Sequence, residues 1–153
     1  MKRIVSLLLL SVMFVFCLTG CGGREKYAGK WEAKEMNVNG NVIDSLSGVP
    51  LNVMMRFQLN DSGSAEWASP LSNVKDPSLD GITASWKIKD GKIILTVNMK
   101  DEKNVIEFTD EDGRLVYDQN GSKLYLDRVD DYSPVDSQAI LNSFNGFGSM
   151  FGG

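Results

Sequence analysis

Residues 84–97 read Ala84-Ser85-Trp86-Lys87-Ile88-Lys89-Asp90-Gly91-Lys92-Ile93-Ile94-Leu95-Thr96-Val97. Ala84, Trp86 and Ile88 alternate with Ser85, Lys87 and Lys89, and Asp90-Gly91 then leads into Ile93, Leu95, Val97 and Met99. Successive side chains of a strand point to opposite faces, so alternation of this kind marks a half-buried strand. Asp-Gly between two such runs provides the positive φ angles of a two-residue turn and is the strongest short-range hairpin signal. The stretch therefore predicts an antiparallel hairpin.

The same pattern extends in both directions. Upstream, Val53, Met55, Phe57 and Leu59 alternate with Met54, Arg56 and Gln58, and Asn60-Asp61-Ser62-Gly63 turns the chain into Ala65, Glu66 and Trp67. Downstream, residues 104–109, the acidic turn Asp110-Glu111-Asp112-Gly113, residues 114–118, the turn Asn120-Gly121 and residues 122–129 continue the meander. With an opening strand at 30–38, the candidates are 30–38, 51–59, 64–68, 83–89, 92–99, 104–109, 114–118 and 122–129. The expected fold is all-β, an eight-stranded up-and-down antiparallel barrel over residues 29–130. Closure removes exposed sheet edges, and a barrel of this size is filled by its own side chains or holds one small ligand. An open sandwich is the alternative.

Two connections border the expected mouth. The link from Ala68 to Ile82 is longer than most structureless loops and is stiffened by Pro70 and Pro77, with Leu71, Val74 and Leu79 as anchors, so it caps the barrel or runs over its surface. Residues 44–50 suggest a short turn or helical piece between the first two strands. Residues 131–153 depart from the strand pattern. Ser133 caps a short C-terminal helix with Pro134 at its first position, and Val135, Ala139, Ile140 and Phe144 share an apolar face suited to the barrel wall or to docking on a partner or membrane. Residues 146–153 place Phe147, Met150 and Phe151 among glycines and read as a flexible tail.

At the other end, Lys2 and Arg3 precede an apolar run from Ile4 to Phe16, followed by Leu18-Thr19-Gly20-Cys21. The run is short for a membrane-crossing helix, which needs roughly 20 apolar residues, and no A-x-A-like site ends it. The segment resembles the signal peptide and lipobox of bacterial lipoproteins. That resemblance implies loss of residues 1–20, acylation of Cys21, and a tether at residues 21–28 holding the domain to a membrane outside the cytoplasm. An ordinary secretory signal and an uncleaved anchor fit less well.

Loss of 20 residues from 153 leaves 133, enough for one domain with a real core. Removing Lys2 and Arg3 from 16 cations leaves 14 against 20 acids, a formal charge of −6. An acidic chain whose Lys and Arg are scattered singly among acids argues against nucleic acid and anionic lipid as partners. Membrane attachment then comes from the lipid.

Gly29-Lys30-Trp31, opening the first strand, resembles the G-x-W that begins lipocalins, and the following meander is similar to bacterial lipocalin-like lipoproteins. The resemblance implies that Trp31 plugs the closed end of the barrel and that Arg128, in Leu126-Asp127-Arg128, lies across the indole as a structural pair. It also implies a pocket for a small apolar or amphipathic ligand. Met55, Phe57, Trp86, Leu95, Met99 and Phe108 are the candidate lining. Their bulk equally suits a filled barrel, because each aromatic side chain occupies about 150 to 250 Å² of surface in a narrow interior.

Catalytic chemistry has little to work with. The chain has no His, and Cys21 is the lone cysteine after processing, so Ser/His/Asp and Cys/His systems and Cys/His zinc sites are excluded. Glu32, Glu35, Glu66 and Glu107 are strand carboxylates from which no spacing selects an acid/base pair. Calcium ligation by Asp110, Glu111 and Asp112, or by Asp127, Asp130 and Asp131, lacks the spacing of a calcium loop. No enzyme activity, cofactor or metal is expected. Two functions compete: binding of a small apolar ligand, or an envelope interaction or structural module that contacts another protein.

Overall fold

The computed structural model describes residues 23–68, 81–99, 102–136 and 140. Cys21, the greater part of the 68–82 connection and residues 141–153 lie outside the described residues. A short helix α1 (Gly23–Tyr27) precedes β1 (Gly29–Val38). Short strands β2 (Asn41–Ile43), β3 (Ser45–Leu46) and β4 (Val49–Pro50) and a helical turn α2 (Leu51–Met54) follow. The remaining strands are β5 (Arg56–Leu59), β6 (Ser64–Trp67), β7 (Thr83–Lys89), β8 (Lys92–Met99), β9 (Glu102–Glu111), β10 (Arg114–Gln119) and β11 (Ser122–Val129).

Eight strands form a closed antiparallel barrel. The order runs β11-β10-β9-β8-β7-β6-β5-β1, and β11 returns to pair with β1. The Asp90-Gly91 turn forms as the sequence predicts, with both residues at positive φ (52° and 74°) and Lys89 opposite Lys92. Closure rests on eight β1–β11 pairs running from Lys30–Val129 to Val38–Ser122.

That ladder contains a bulge between Ala33 and Glu35. An extra residue in one strand reverses the alternation beyond it. Trp31 and Ala33 therefore face inward before Lys34, whereas Met36 takes the inward register after it, opposite Leu124. Glu32 and Glu35 both lie on the outer side.

The interior is solid. Phe57, Phe108, Leu95, Leu115 and Leu126 are fully buried, and Trp31, Ala33, Leu59, Trp86, Ile93 and Val97 complete the core. Phe57 and Phe108 meet at 5.5 Å between ring centres, with Trp67 and Tyr117 each 6.2 Å from one of them. Burying a side chain of this size contributes about 1.5 to 3 kcal/mol, so the barrel centre is where the stability of the fold is concentrated.

Two sequence expectations are corrected. Residues 51–54 are helical, and the strand begins only at Arg56: the Leu51 carbonyl accepts from the Met55 amide, and Leu51 is buried over the mouth instead of continuing the ladder. Residues 133–136 are not helical either. Ser133 gives its backbone N–H and its hydroxyl to the Glu32 carboxylate, so it cannot cap a helix of its own. Ile140 is helical, buried, and bonded to the Asp136 carbonyl one turn back.

Candidate functional site

The two ends of the barrel differ. One is closed by α1, which lies against the β5–β6 turn, β7 and the end of β9. Arg24 donates to the Ser62 carbonyl, the Gly23 Cα lies against Ile88, and Lys26 and the Tyr27 hydroxyl both meet Asp110 Oδ2, at 2.5 and 3.0 Å. The Lys26 ammonium holds the Asp110 carboxyl below its ordinary value, against the opposing effect of burial.

Trp31 forms the floor beneath α1. Its indole N–H donates to the Tyr27 carbonyl at 2.8 Å, and the ring is 2% exposed. Arg128 stands opposite Trp31 in the β1–β11 ladder, but its exposed guanidinium lies over Gly29 and donates to the Lys26 carbonyl. It makes no cation–π contact with the indole. The reason is α1, whose last carbonyls take both the indole N–H and the guanidinium. Gly29 makes room for this arrangement: its φ is +138°, and a Cβ there would sit 2.7 Å from Arg128 Nε.

The opposite end is the mouth. Here α2 and the β3–β4 hairpin lean over the ends of β1, β10 and β11. Between them lies a cleft of about 420 Å³ lined by Met36, Leu46, Leu51, Met54, Met55, Tyr117, Gln119, Asn120, Ser122 and Leu124. None of these ten residues is Asp, Glu, Lys or Arg. Leu46 and Met54 are 44% and 47% exposed at its rim, an apolar surface open to a ligand.

Of the six residues expected to line a pocket, only Met55 reaches this cleft. Phe57, Trp86, Leu95 and Phe108 are packed in the solid centre, with Trp86 Nε1 donating to the Asn60 carbonyl at 2.8 Å. Met99 does not line the interior; it falls at the end of β8, past the packed layers, and is exposed. Sequence alternation separated inside from outside but carried no information on height along the barrel axis. Met36 was hidden by the bulge, and Leu46 and Leu51 by short elements with no periodicity.

Comparison with protein-family models, with curated proteins and with solved structures returns no match.

Away from the mouth, charged side chains are paired in the wall and its flanking segments. Glu32 is the one fully buried charged residue among the described residues; Lys34 Nζ and the Ser133 hydroxyl each lie 2.5 Å from its Oε1. Burial opposes its ionisation, yet Lys34 and Ser133 outweigh burial and hold the carboxyl below its ordinary value. Tyr132 beside it is pushed up to about 12 by burial. Arg114 joins Asp127 and Glu35 at 2.6 and 2.8 Å on the outer wall. Among the described residues no cluster of acids is placed to hold a metal ion, and no helix is long and apolar enough to cross a membrane.

Proposed function

We propose that this chain is a non-catalytic lipoprotein of the bacterial cell envelope, related to lipocalin-like lipoproteins. It is tethered through acylated Cys21 and binds a small apolar or amphipathic ligand at the barrel mouth. The observation that carries this reading is the uncharged, methionine-rich cleft of about 420 Å³ at the end opposite α1. Ligand pockets commonly span about 300 to 1,000 Å³ with mostly apolar walls and a few polar groups, here Gln119, Asn120 and Ser122. Methionine adapts its shape to an irregular apolar guest.

Titration of residues 24–153 with an apolar fluorescent probe tests the cleft. Saturable binding is expected, weakened about tenfold by Leu46→Lys, equivalent to roughly 1.4 kcal/mol. Absence of saturable binding sinks the carrier reading. The second reading, an interaction or structural module without a small ligand, draws its support from the solid interior around Phe57 and Phe108. The tether has its own test: Cys21→Ser is expected to abolish metabolic palmitate labelling, and continued labelling of that variant excludes the lipobox.

A further inference from the structure

Strand parity places Ser85, Lys87 and Lys89 of β7, Lys92, Ile94, Thr96 and Asn98 of β8, and Lys103, Val105 and Glu107 of β9 side by side on the outer wall. Four lysines from three strands thus share one face of an otherwise acidic protein. Lys92 is paired with Glu107 at 3.0 Å. Lys87, Lys89 and Lys103 have no hydrogen-bond or ion-pair partner, and they are the only described cations of which that is true. Every other described Lys or Arg is held by a carboxylate or a backbone carbonyl. Lys87 and Lys103 edge a shallow depression of about 320 Å³ floored by Ser85, Ile94, Thr96 and Asn98. The acids on and around the face are Glu107, Asp90 in the β7–β8 turn, Glu102 beside Lys103 in β9, and Glu66 on the outward side of the neighbouring β6.

Two further observations fix what this face meets. Val105 at its centre is 52% exposed, so an apolar side chain projects among the lysines. The chain also enters the fold at the floor end of β7, the end that carries Lys89: Gly23 lies against Ile88 Cδ1 on the core-facing side of that strand. Only Gly22 separates Gly23 from Cys21, and an extended chain spans at most about 3.6 Å per residue, so Cys21 is tied to within about 10 Å of the floor end of β7.

We propose that the β7–β8–β9 wall is a membrane-docking face that lays the barrel on its side against anionic lipid headgroups, Lys87, Lys89 and Lys103 meeting the headgroups around Val105. The inference rests on the tether of the proposed function and is independent of the mouth cleft. It revises what the scattered lysines of the sequence suggest: positions remote in sequence become one basic patch through cross-strand adjacency.

The test uses the full chain carrying Val105→Cys. In the acylated protein that thiol is the one available for an environment-sensitive fluorophore, since Cys17 leaves with the signal and Cys21 is blocked. Reconstituted on phosphatidylglycerol vesicles, the label is expected to be shielded from an aqueous quencher. On phosphatidylcholine vesicles, or at 1 M salt where the Debye length falls to about 3 Å, it is expected to be open. Each lysine near an anionic surface contributes about a fivefold preference, so Lys87→Gln, Lys89→Gln and Lys103→Gln together are expected to lower the docking equilibrium constant about a hundredfold. Equal quenching on both lipids, no effect of the triple substitution, or equal shielding of a label at Val42→Cys on another wall overturns the proposal. Intact mass of the same sample reads acylation separately: an unacylated chain sinks the tether. The quenching comparison at saturating vesicle concentration still reads the face.

Discussion

At the residue scale, Trp31 and Arg128 divide the work of closing the floor unequally. The indole is buried under α1 and bonded to the Tyr27 carbonyl, whereas the Arg128 guanidinium is exposed above Gly29. Truncating a buried tryptophan costs the transfer energy of the ring plus the cavity left behind, so Trp31→Ala is expected to destabilise the domain by about 3 to 5 kcal/mol. Arg128→Ala removes one hydrogen bond of 3.3 Å from a solvated group and is expected to cost less than about 1 kcal/mol. Urea unfolding of both variants checks the division. Comparable losses would mean that the two act as the stacked pair suggested by the G-x-W resemblance.

At the element scale, two segments outside the barrel are fastened by carboxylates: α1 by Asp110 and residues 132–136 by Glu32. Both carboxyls ionise more readily in the folded protein than their ordinary values of 3.8 and 4.5. A depressed folded value means that the unfolded chain binds more protons over that range. The stabilisation is thus complete above about pH 4.5 and is lost as pH falls through the lowered values. The urea midpoint is expected to be flat between pH 7 and 5 and to drop below pH 4, with a shallower drop in Asp110→Asn and Glu32→Gln. An unchanged midpoint at pH 3 would show that neither fastening stabilises the fold. These segments also mark the limit of what the sequence discloses. Strands from β6 to β11 are legible because alternation and Asn-Gly or Asp-Gly turns are local signals. By contrast, Leu51 and Ser133 obey tertiary partners: one packs over the mouth, and the other bonds to a carboxylate about a hundred residues away.

At the scale of the whole molecule, which strands neighbour one another was readable from turn lengths, but which side chains meet on a wall was not. Lys87 and Lys103 reach one depression because register, fixed only in the folded sheet, sets Lys87 beside Ile94 and Lys103 beside Asn98. Register also makes the barrel uneven. Eight pairs join β1 to β11, whereas β6 and β7 share two, Ser64–Ser85 and Ala65–Ala84. The Trp86 amide donates to the Gly63 carbonyl at 2.8 Å and pins this seam at its floor end, while Glu66 and Trp67 run on towards the mouth without a β7 partner. Local opening follows the weakest cooperative contacts, and exchange protection ranges from near zero up to the global stability. Amides of Ala65 and Ala84 are therefore expected to exchange by local opening, faster than those of Ala33 and Leu126, which exchange only on global unfolding. Hydrogen exchange followed by mass spectrometry reads this directly. Uniform protection around the barrel would mean that core packing of Trp67 against Phe57, at 6.2 Å between ring centres, holds the seam as firmly as a full ladder. Faster exchange at the seam would place the lateral weak point of the barrel beside the lysine face. Membrane docking would then be expected to raise protection at Ala84 while leaving Leu126 unchanged.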